Sequence, residues 1–391
     1  MRICIVGPSK KFYSGVSAYT TVISNAFSEN GHEVAVILLR NIVPKFLYPG
    51  KSRVGMHTRG TELKEAICVY DGMDWHSPPS WVRAAKFLND FQPNAIIMHW
   101  WTSTVAHMQL FLALIRRICS EPVMLLEMHE VVDPLEESIA PIRLYSRIAG
   151  RRLIKLCDGY VVHSTETKGI VSKIYGINGP RIFVVPHGPY DNYPLYGAEG
   201  ARIDLGLGKE FVLLHFGTIR RYKGIKTLVD AFSMVPEGIA RRSRLVIAGE
   251  DWGDDPELVP AIKRSPYYDR IIFSNEFVPD EQVGKYFAAA DVVVLPYERT
   301  CGSGVVSIAK AQRKPIVASD VSTLRECLDG YRGVWFFKVN NVSDLRDQIL
   351  FAYHKWVIGG LVSKGSTNDF SWEEIIARYV DIISEVRRGQ C

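Results

Sequence analysis

Short apolar runs alternate with segments whose apolar residues recur three and four positions apart, from one end of the chain to the other. The runs read as strands buried on both faces and the periodic segments as crossover helices, which predicts parallel sheets in an α/β fold. In the first half the runs are Arg2 to Val6, Glu33 to Leu39, Ala95 to His99, Val123 to Met128, Gly159 to His163 and Ile182 to Pro186. In the second half they are Phe211 to His215, Ser243 to Ala248, Arg270 to Ser274, Asp291 to Leu295, Pro315 to Ser319 and Gly333 to Phe336. Val16 to Glu29 is a helical pattern closed by Asn30-Gly31 as a C-cap. The stretch from Pro186 to Gly208 is rich in Gly, Pro and Tyr and lacks periodicity, so the domain boundary is placed there. The expectation is two doubly wound, Rossmann-like domains facing a cleft, over residues 1–190 and 191–370. The segment 371–391 carries Trp372, Ile375, Ile376, Tyr379, Val380, Ile383 and Val386 at helical spacing. It is expected to form a helix that packs back on the first domain.

Length and composition sharpen this reading. A chain of 391 residues exceeds one ordinary core, so two domains are the default. The content of 47% hydrophobic and 23% charged residues is that of a folded globular protein. A net charge of +5 fits an anionic substrate or a membrane-facing patch better than a nucleic-acid partner. No run reaches the roughly 18 apolar residues of a membrane span. The opening Met1-Arg-Ile-Cys-Ile-Val-Gly7 turns too early for a signal peptide and reads as a first strand. Seven dispersed cysteines without Cys-x-x-Cys spacing imply reduced thiols and a cytoplasmic setting, and they argue against a structural zinc site.

Five segments at the carboxyl ends of strands carry candidate chemistry. Phe216-Gly-Thr-Ile-Arg-Arg-Tyr-Lys-Gly224 places Arg220, Arg221 and Lys223 before a helix-like segment, where helix termini already favour anions. Fixed cations there point to a phosphate or diphosphate ligand, against a solvated basic loop. Ser14-Gly15-Val16 follows the first strand and lets backbone approach a phosphate, although an ordinary turn accounts for it as well. Pro296 to Val306 contains Gly302, Ser303 and Gly304, whose N–H groups can meet a phosphate or sugar, and Glu298, which can accept from sugar hydroxyls. Leu125 to Glu130 ends in His129, a hydrogen-bond donor or proton carrier expected to point into the cleft. His99-Trp-Trp101 ends the preceding strand, and His99 and Trp100 are acceptor-side candidates if exposed, or core if not.

At this point the chain resembles the family 4 retaining glycosyltransferases, which have the two-Rossmann GT-B fold. The likeness spans nearly the whole length. It rests on the glycine turn after the first strand, the Phe216–Gly224 loop, Phe277-Val-Pro-Asp-Glu281, Ala289 to Tyr297, the Ser303-Gly304 turn, Lys314 to Ser319 and Ser371-Trp372-Glu373. The resemblance implies that Arg220 and Lys223 clamp the donor diphosphate and that Gly15 contacts it from the first domain. It implies that His129 lies near the transferred sugar, that backbone near Phe277 and Val278 meets the nucleobase, and that Gly302 to Gly304 cover the donor sugar. Three positions depart from the family pattern. Thr218 stands where an Arg follows the glycine, with Arg220 as substitute, and Thr300 and Ile308 stand where two glutamates contact sugar and ribose hydroxyls. Glu298 is expected to take part of that role.

The resulting expectation is transfer of a sugar from a nucleotide-diphosphate sugar to an acceptor hydroxyl, with retention. The acceptor is a glycan, a lipid-linked saccharide or a glycoside. Arg220, Lys223 and helix dipoles would stabilise the departing diphosphate. No metal or other cofactor is expected, because the cations serve and no Asp-x-Asp motif lies in these loops. Lys45, Lys51 and Arg53 interleave with Phe46, Leu47, Tyr48 and Met56 between Arg40 and Arg59. Ile139 to Lys155 carries Arg143, Arg147, Arg151, Arg152 and Lys155 on an apolar helical pattern. Both segments suggest peripheral docking of a cytoplasmic protein on an anionic membrane, against a solvated basic face. The rival activities are a nucleotide-sugar epimerase or phosphorylase of the same architecture, and a catalytically silent sugar- or nucleotide-binding partner protein.

Overall fold

The computed structural model describes residues 1–9, 15–41, 62–116, 121–131, 140–190, 193–361, 363 and 370–389. These residues form two compact units: Met1 to Gly188 with the segment from Phe370 onward, and the residues from Pro189 to 363. Most of the basic stretch between Arg40 and Arg59, and Ser14, lie outside the described residues.

The first unit is a seven-stranded sheet in the order β3-β2-β1-β4-β5-β6-β7, every pairing parallel. Its strands are β1 (Arg2–Pro8), β2 (Glu33–Arg40), β3 (Cys68–Asp74), β4 (Ala95–Trp100), β5 (Val123–Met128), β6 (Gly159–Val162) and β7 (Ile182–Val184). Its first five helices are α1 (Gly15–Glu29), α2 (Pro78–Phe91), α3 (Ala106–Ile115), α4 (Ala140–Leu156) and α5 (Thr165–Tyr175). The second unit repeats the topology with six parallel strands in the order β10-β9-β8-β11-β12-β13. They are β8 (Phe211–Phe216), β9 (Ser243–Ala248), β10 (Ile271–Ser274), β11 (Val292–Leu295), β12 (Ile316–Ser319) and β13 (Val334–Phe337). Its helices are α6 (Ala198–Asp204), α7 (Ile225–Ser233), α8 (Glu237–Ala240), α9 (Leu258–Arg264), α10 (Asp280–Ala289), α11 (Gly304–Ala311), α12 (Ser322–Cys327) and α13 (Val342–Val357). Strand order reverses between β1 and β4 and again between β8 and β11, so each unit has a switch point, where doubly wound sheets bind ligands.

Twelve of the strands coincide with apolar runs because central parallel strands are covered on both faces; β4 and β5 are buried along their whole length. The sequence reading has no counterpart for β3. This strand lies at the sheet edge, with only Met73 buried, and its Asp71, Gly72 and Asp74 interrupt any apolar run.

The C-terminal helix (Trp372–Arg387) starts in a capping box in which Ser371 and Glu374 satisfy each other's backbone N–H groups. It buries Ile375, Ile376, Tyr379, Ile382 and Ile383, and Tyr379 lies edge-on to Phe27 of α1 at 5.7 Å. A Cβ at Gly188 would overlap the Trp372 indole, so only glycine lets the two approach. The helix is therefore part of the first unit, as its apolar spacing predicts. Among the described residues no helix is long and apolar enough to cross a membrane.

Candidate active site

In the second unit the chemistry gathers where β8 and β11 part. After β8 the chain passes through Gly217 (φ 102°), Thr218 and Ile219 into a 3-10 turn over Arg221–Lys223, closed by Gly224 (φ 62°). Both glycines hold left-handed backbone that other residues adopt at a cost. Gly224 also abuts Pro296 at the end of β11, so closely that a Cβ would overlap the Pro296 carbonyl oxygen. This closeness fixes the turn against the strand end. Lys223 is consequently drawn inward and is only 8% exposed. Its Nζ donates to Thr218 Oγ1 at 3.3 Å and lies 5.6 Å from the centre of the Tyr297 ring. Beneath it His215 is fully buried and donates from Nδ1 to the Val294 carbonyl. Burial, with the Lys223 ammonium nearby, brings the His215 imidazole down to about 3, so it stays neutral beside the lysine.

Arg220 stands beside this turn in a different state. Its Nε donates to Asp254 Oδ2 at 2.6 Å, and the guanidinium lies 4.8 Å from the Trp252 ring centre and 5.8 Å from that of Tyr222. Asp254 also accepts from the Arg221 backbone N–H at 2.9 Å. Asp254 thus holds the fork through one of its five donors, and the others can meet a phosphate. The sequence alone gives no sign of this partner, 34 residues away along the chain.

The third element is the start of α11. Ser303 is its N-cap and accepts from the Val306 N–H, while Gly302 and Gly304 flank it. A Cβ on Gly217 would stand 3.3 Å from Lys223 Nζ and 3.4 Å from Val305 Cγ2, so lysine, glycine turn and first turn of α11 meet at one point. Two departures noted in the sequence acquire a physical account. Thr300 Oγ1 bonds both the carbonyl and the N–H of Gly302, so it shapes this loop. Ile308 is 5% exposed within α11 and offers no polar atom. Glu298 is exposed and joins the lysine turn through its N–H to the Tyr222 carbonyl at 2.7 Å. Val278 is buried between β10 and α10, with Phe277 half-buried before it.

In the first unit a histidine lies within three residues of the carboxyl end of each of four adjacent strands, β4 to β7, and these side chains converge. His99, His129, His163 and His187 gather around Glu127 and Tyr19, with Tyr379 of the C-terminal helix. His129 is the one of these that the sequence reading singles out, and its setting differs from that expectation. Its side chain is 7% exposed, its Nδ1 lies 3.3 Å from His163 Nε2, and its Nε2 is buried 3.8 Å from Glu127 Oε1. Both nitrogens therefore face the interior of the unit, and burial holds the imidazole well below its usual range, hence neutral. His99 and Trp100 require a plain correction. They are 0% and 3% exposed, not a surface pair, because β4 lies mid-sheet between β1 and β5. His99 Nδ1 bonds Thr20 Oγ1 of α1 at 2.8 Å, and its carbonyl accepts from Gln109 Nε2 at 2.7 Å. A Cβ on Gly7 would overlap Thr20, so that glycine admits α1 to the end of β1. Gly15 opens α1 with nothing within 4 Å of its Cβ position.

Comparison with known proteins follows the same division. Residues 13–189 match Glycosyltransferase Family 4, and residues 210–355 match Glycosyl transferases group 1. A curated relative, D-inositol 3-phosphate glycosyltransferase of Xylanimonas cellulosilytica, is 26% identical over 62% of this chain and 60% of its own length. The chain thus aligns with about three fifths of that relative. Among solved structures, sucrose-phosphate synthase from Thermosynechococcus elongatus superposes with TM-score 0.72 at 15% identity, over 99% of both chains. Anabaena HepE in complex with UDP-glucose gives 0.66 at 16% identity, over 100% of this chain and 99% of that one. Two parallel doubly wound sheets with whole-length superposition establish a GT-B fold, and with both halves matched the chain belongs to the family 4, or group 1, glycosyltransferases.

Proposed function

We propose that the protein transfers a sugar from a nucleoside-diphosphate sugar to an acceptor hydroxyl, with retention of anomeric configuration. The observation that carries the reading is the buried Lys223 at the β8/β11 switch point, next to the start of α11. Breaking the bond between sugar C1 and the diphosphate oxygen leaves the electron pair on that oxygen, while the acceptor oxygen bonds C1 and its hydroxyl proton passes to the departing diphosphate. The growing charge would meet the Lys223 ammonium, an Arg220 fork oriented by Asp254, and the positive end of the α11 dipole. Chain cations take the place of an added divalent ion at the diphosphate. Ser303 and the N–H groups from Gly302 to Gly304 are assigned to the donor sugar and phosphate, Glu298 to sugar hydroxyls, and the backbone of Phe277 and Val278 to the base. From the first unit, Gly15 is assigned to the diphosphate and His129 to the border of the transferred sugar. Curated relatives named D-inositol 3-phosphate glycosyltransferase and a structural neighbour holding UDP-glucose support a nucleotide-sugar donor.

A thermal-shift panel of UDP, GDP, ADP and their sugar conjugates, with and without added magnesium, tests the donor site. One nucleoside diphosphate should raise the melting temperature by several degrees, to the same extent with and without the metal. No shift with any of them would favour the silent-partner reading, for which the buried Ile308 in place of a glutamate speaks. Incubation of donor without acceptor, or with phosphate, separates epimerase and phosphorylase activities from transfer.

The acceptor is assigned to a lipid-linked saccharide on an anionic membrane. On α4, Leu144 and Ile148 are 62% and 50% exposed, and Arg151, Arg152 and Lys155 are exposed along the same helix. Apolar side chains set among cations suit a headgroup layer. The chain should co-sediment with phosphatidylglycerol vesicles at low salt and release at high salt, and Leu144→Ser/Ile148→Ser should weaken binding. Recovery of the wild type in the supernatant at low salt would remove the membrane and leave a glycan or small glycoside as acceptor.

A further inference from the structure

The histidine cluster of the first unit contains a surplus of acceptors, and assigning its protons shows where they point. Thr20 gives its only hydroxyl proton to the Val16 carbonyl at 2.8 Å, so the 2.8 Å contact with His99 must be donated by His99 Nδ1. His99 Nε2 is then left with a lone pair, 3.4 Å from Glu127 Oε2. His163 Nδ1 must carry a proton, because it meets the Val185 carbonyl at 3.0 Å. Its Nε2 therefore accepts, and His129 Nδ1 donates to it at 3.3 Å. That leaves His129 Nε2 with a lone pair, 3.8 Å from Glu127 Oε1.

Two imidazole lone pairs thus converge on a fully buried carboxylate. None of these four atoms, His99 Nε2, His129 Nε2 and both Glu127 oxygens, has a hydrogen-bond partner within bonding geometry. Four acceptor-type atoms turned towards one another in a dry interior, each without a partner, are costly unless something sits between them.

We propose that His99 Nε2, His129 Nε2 and Glu127 bind a divalent transition metal of the zinc class inside the first unit. The ligand atoms lie within 4.8 Å of one another. Edges of 3.4 and 3.8 Å are too long for strong hydrogen bonds, and near the roughly 3.3 Å edge of a tetrahedron with bonds of about 2.0 Å. Two imidazoles and a carboxylate form a set that suits zinc, with the fourth position towards the Tyr19 and Tyr379 phenols. The outer contacts are those expected of metal-bound histidines: Thr20 and His163 hold the second nitrogens of His99 and His129 and fix the tautomers. The metal would tie β4 and β5 to α1 and the C-terminal helix. The site shares His129 with the donor reading above, and its test reads metal content rather than sugar transfer.

The test is metal content of the full chain, purified without a polyhistidine tag and passed through gel filtration. Plasma mass spectrometry should find close to one equivalent of zinc, or of cobalt after exchange, and the cobalt form should show the strong visible bands of a tetrahedral site. Glu127→Gln and His99→Asn should each lower retention roughly tenfold or more. Should either variant fail to fold, the wild-type cobalt spectrum decides, since it reads ligand geometry without a substitution. Wild-type protein that retains neither metal would overturn the proposal and place protons in the gap. Retention unchanged in both variants would overturn it too, by locating the metal elsewhere.

Discussion

Lys223→Ala should cut kcat/KM for sugar transfer by about 10² to 10³, the usual effect of losing one preorganised donor to a developing oxyanion. The size follows from burial. Lys223 is 8% exposed and pinned between the Gly217 turn and Tyr297, so its charge acts with little solvent screening. Truncation also leaves a gap beside a neutral His215, which cannot substitute as a cation. Stability should change little or rise, because an ammonium is expensive to bury. Initial rates with donor and acceptor, beside a melting curve of the variant, give both numbers. A rate within threefold of wild type in a folded variant would exclude Lys223 from the clamp.

The second large effect concerns stability. Gly224→Ala and Gly176→Ala place the same methyl group on nearly identical backbone, at φ 62° and 65°. A left-handed alanine costs about 1 kcal/mol on backbone grounds alone, and this should be the whole effect at Gly176, where nothing lies within 4 Å. At Gly224 the methyl must also displace the Pro296 carbonyl, which forces β8 and β11 apart at the switch point. The loss there should reach about 3 kcal/mol or more. Urea unfolding of the pair isolates the overlap from the dihedral penalty. Equal losses would mean that the turn and the strand end yield freely.

The parallel sheets were legible in the sequence because a strand covered on both faces has to be apolar, whatever its neighbours. Edge strand β3 escaped for the converse reason, since Asp71, Gly72 and Asp74 are tolerated only where one side is open. The cationic turn was legible because its glycines and its cations are contiguous. Asp254, which orients Arg220, was not, since an ion pair across 34 positions leaves no local trace. The histidine cluster lies between these cases. His99, His129, His163 and His187 have no common spacing, yet each closes or directly follows one of four apolar runs, and parallel neighbouring strands bring such ends together. For His99 and Trp100 the sequence left a surface and a core placement open, because a polar residue beside tryptophans at a strand end fits either. Here α1 and Gln109 cover that end.

The C-terminal helix has a consequence for the order in which the nascent chain can fold. During synthesis the first sheet has all seven strands once residue 184 has emerged, but the helix that covers Phe27 and Tyr19 is nearly two hundred residues away. The second unit, whose strands and helices all fall between Pro189 and 363, can be completed on the ribosome before the first. The amino-terminal unit must then wait, with an apolar face of α1 uncovered, for the last helix to be translated. A chain interrupted between residue 363 and Trp372 would carry a finished second unit and an unsealed first one, a natural substrate for chaperones.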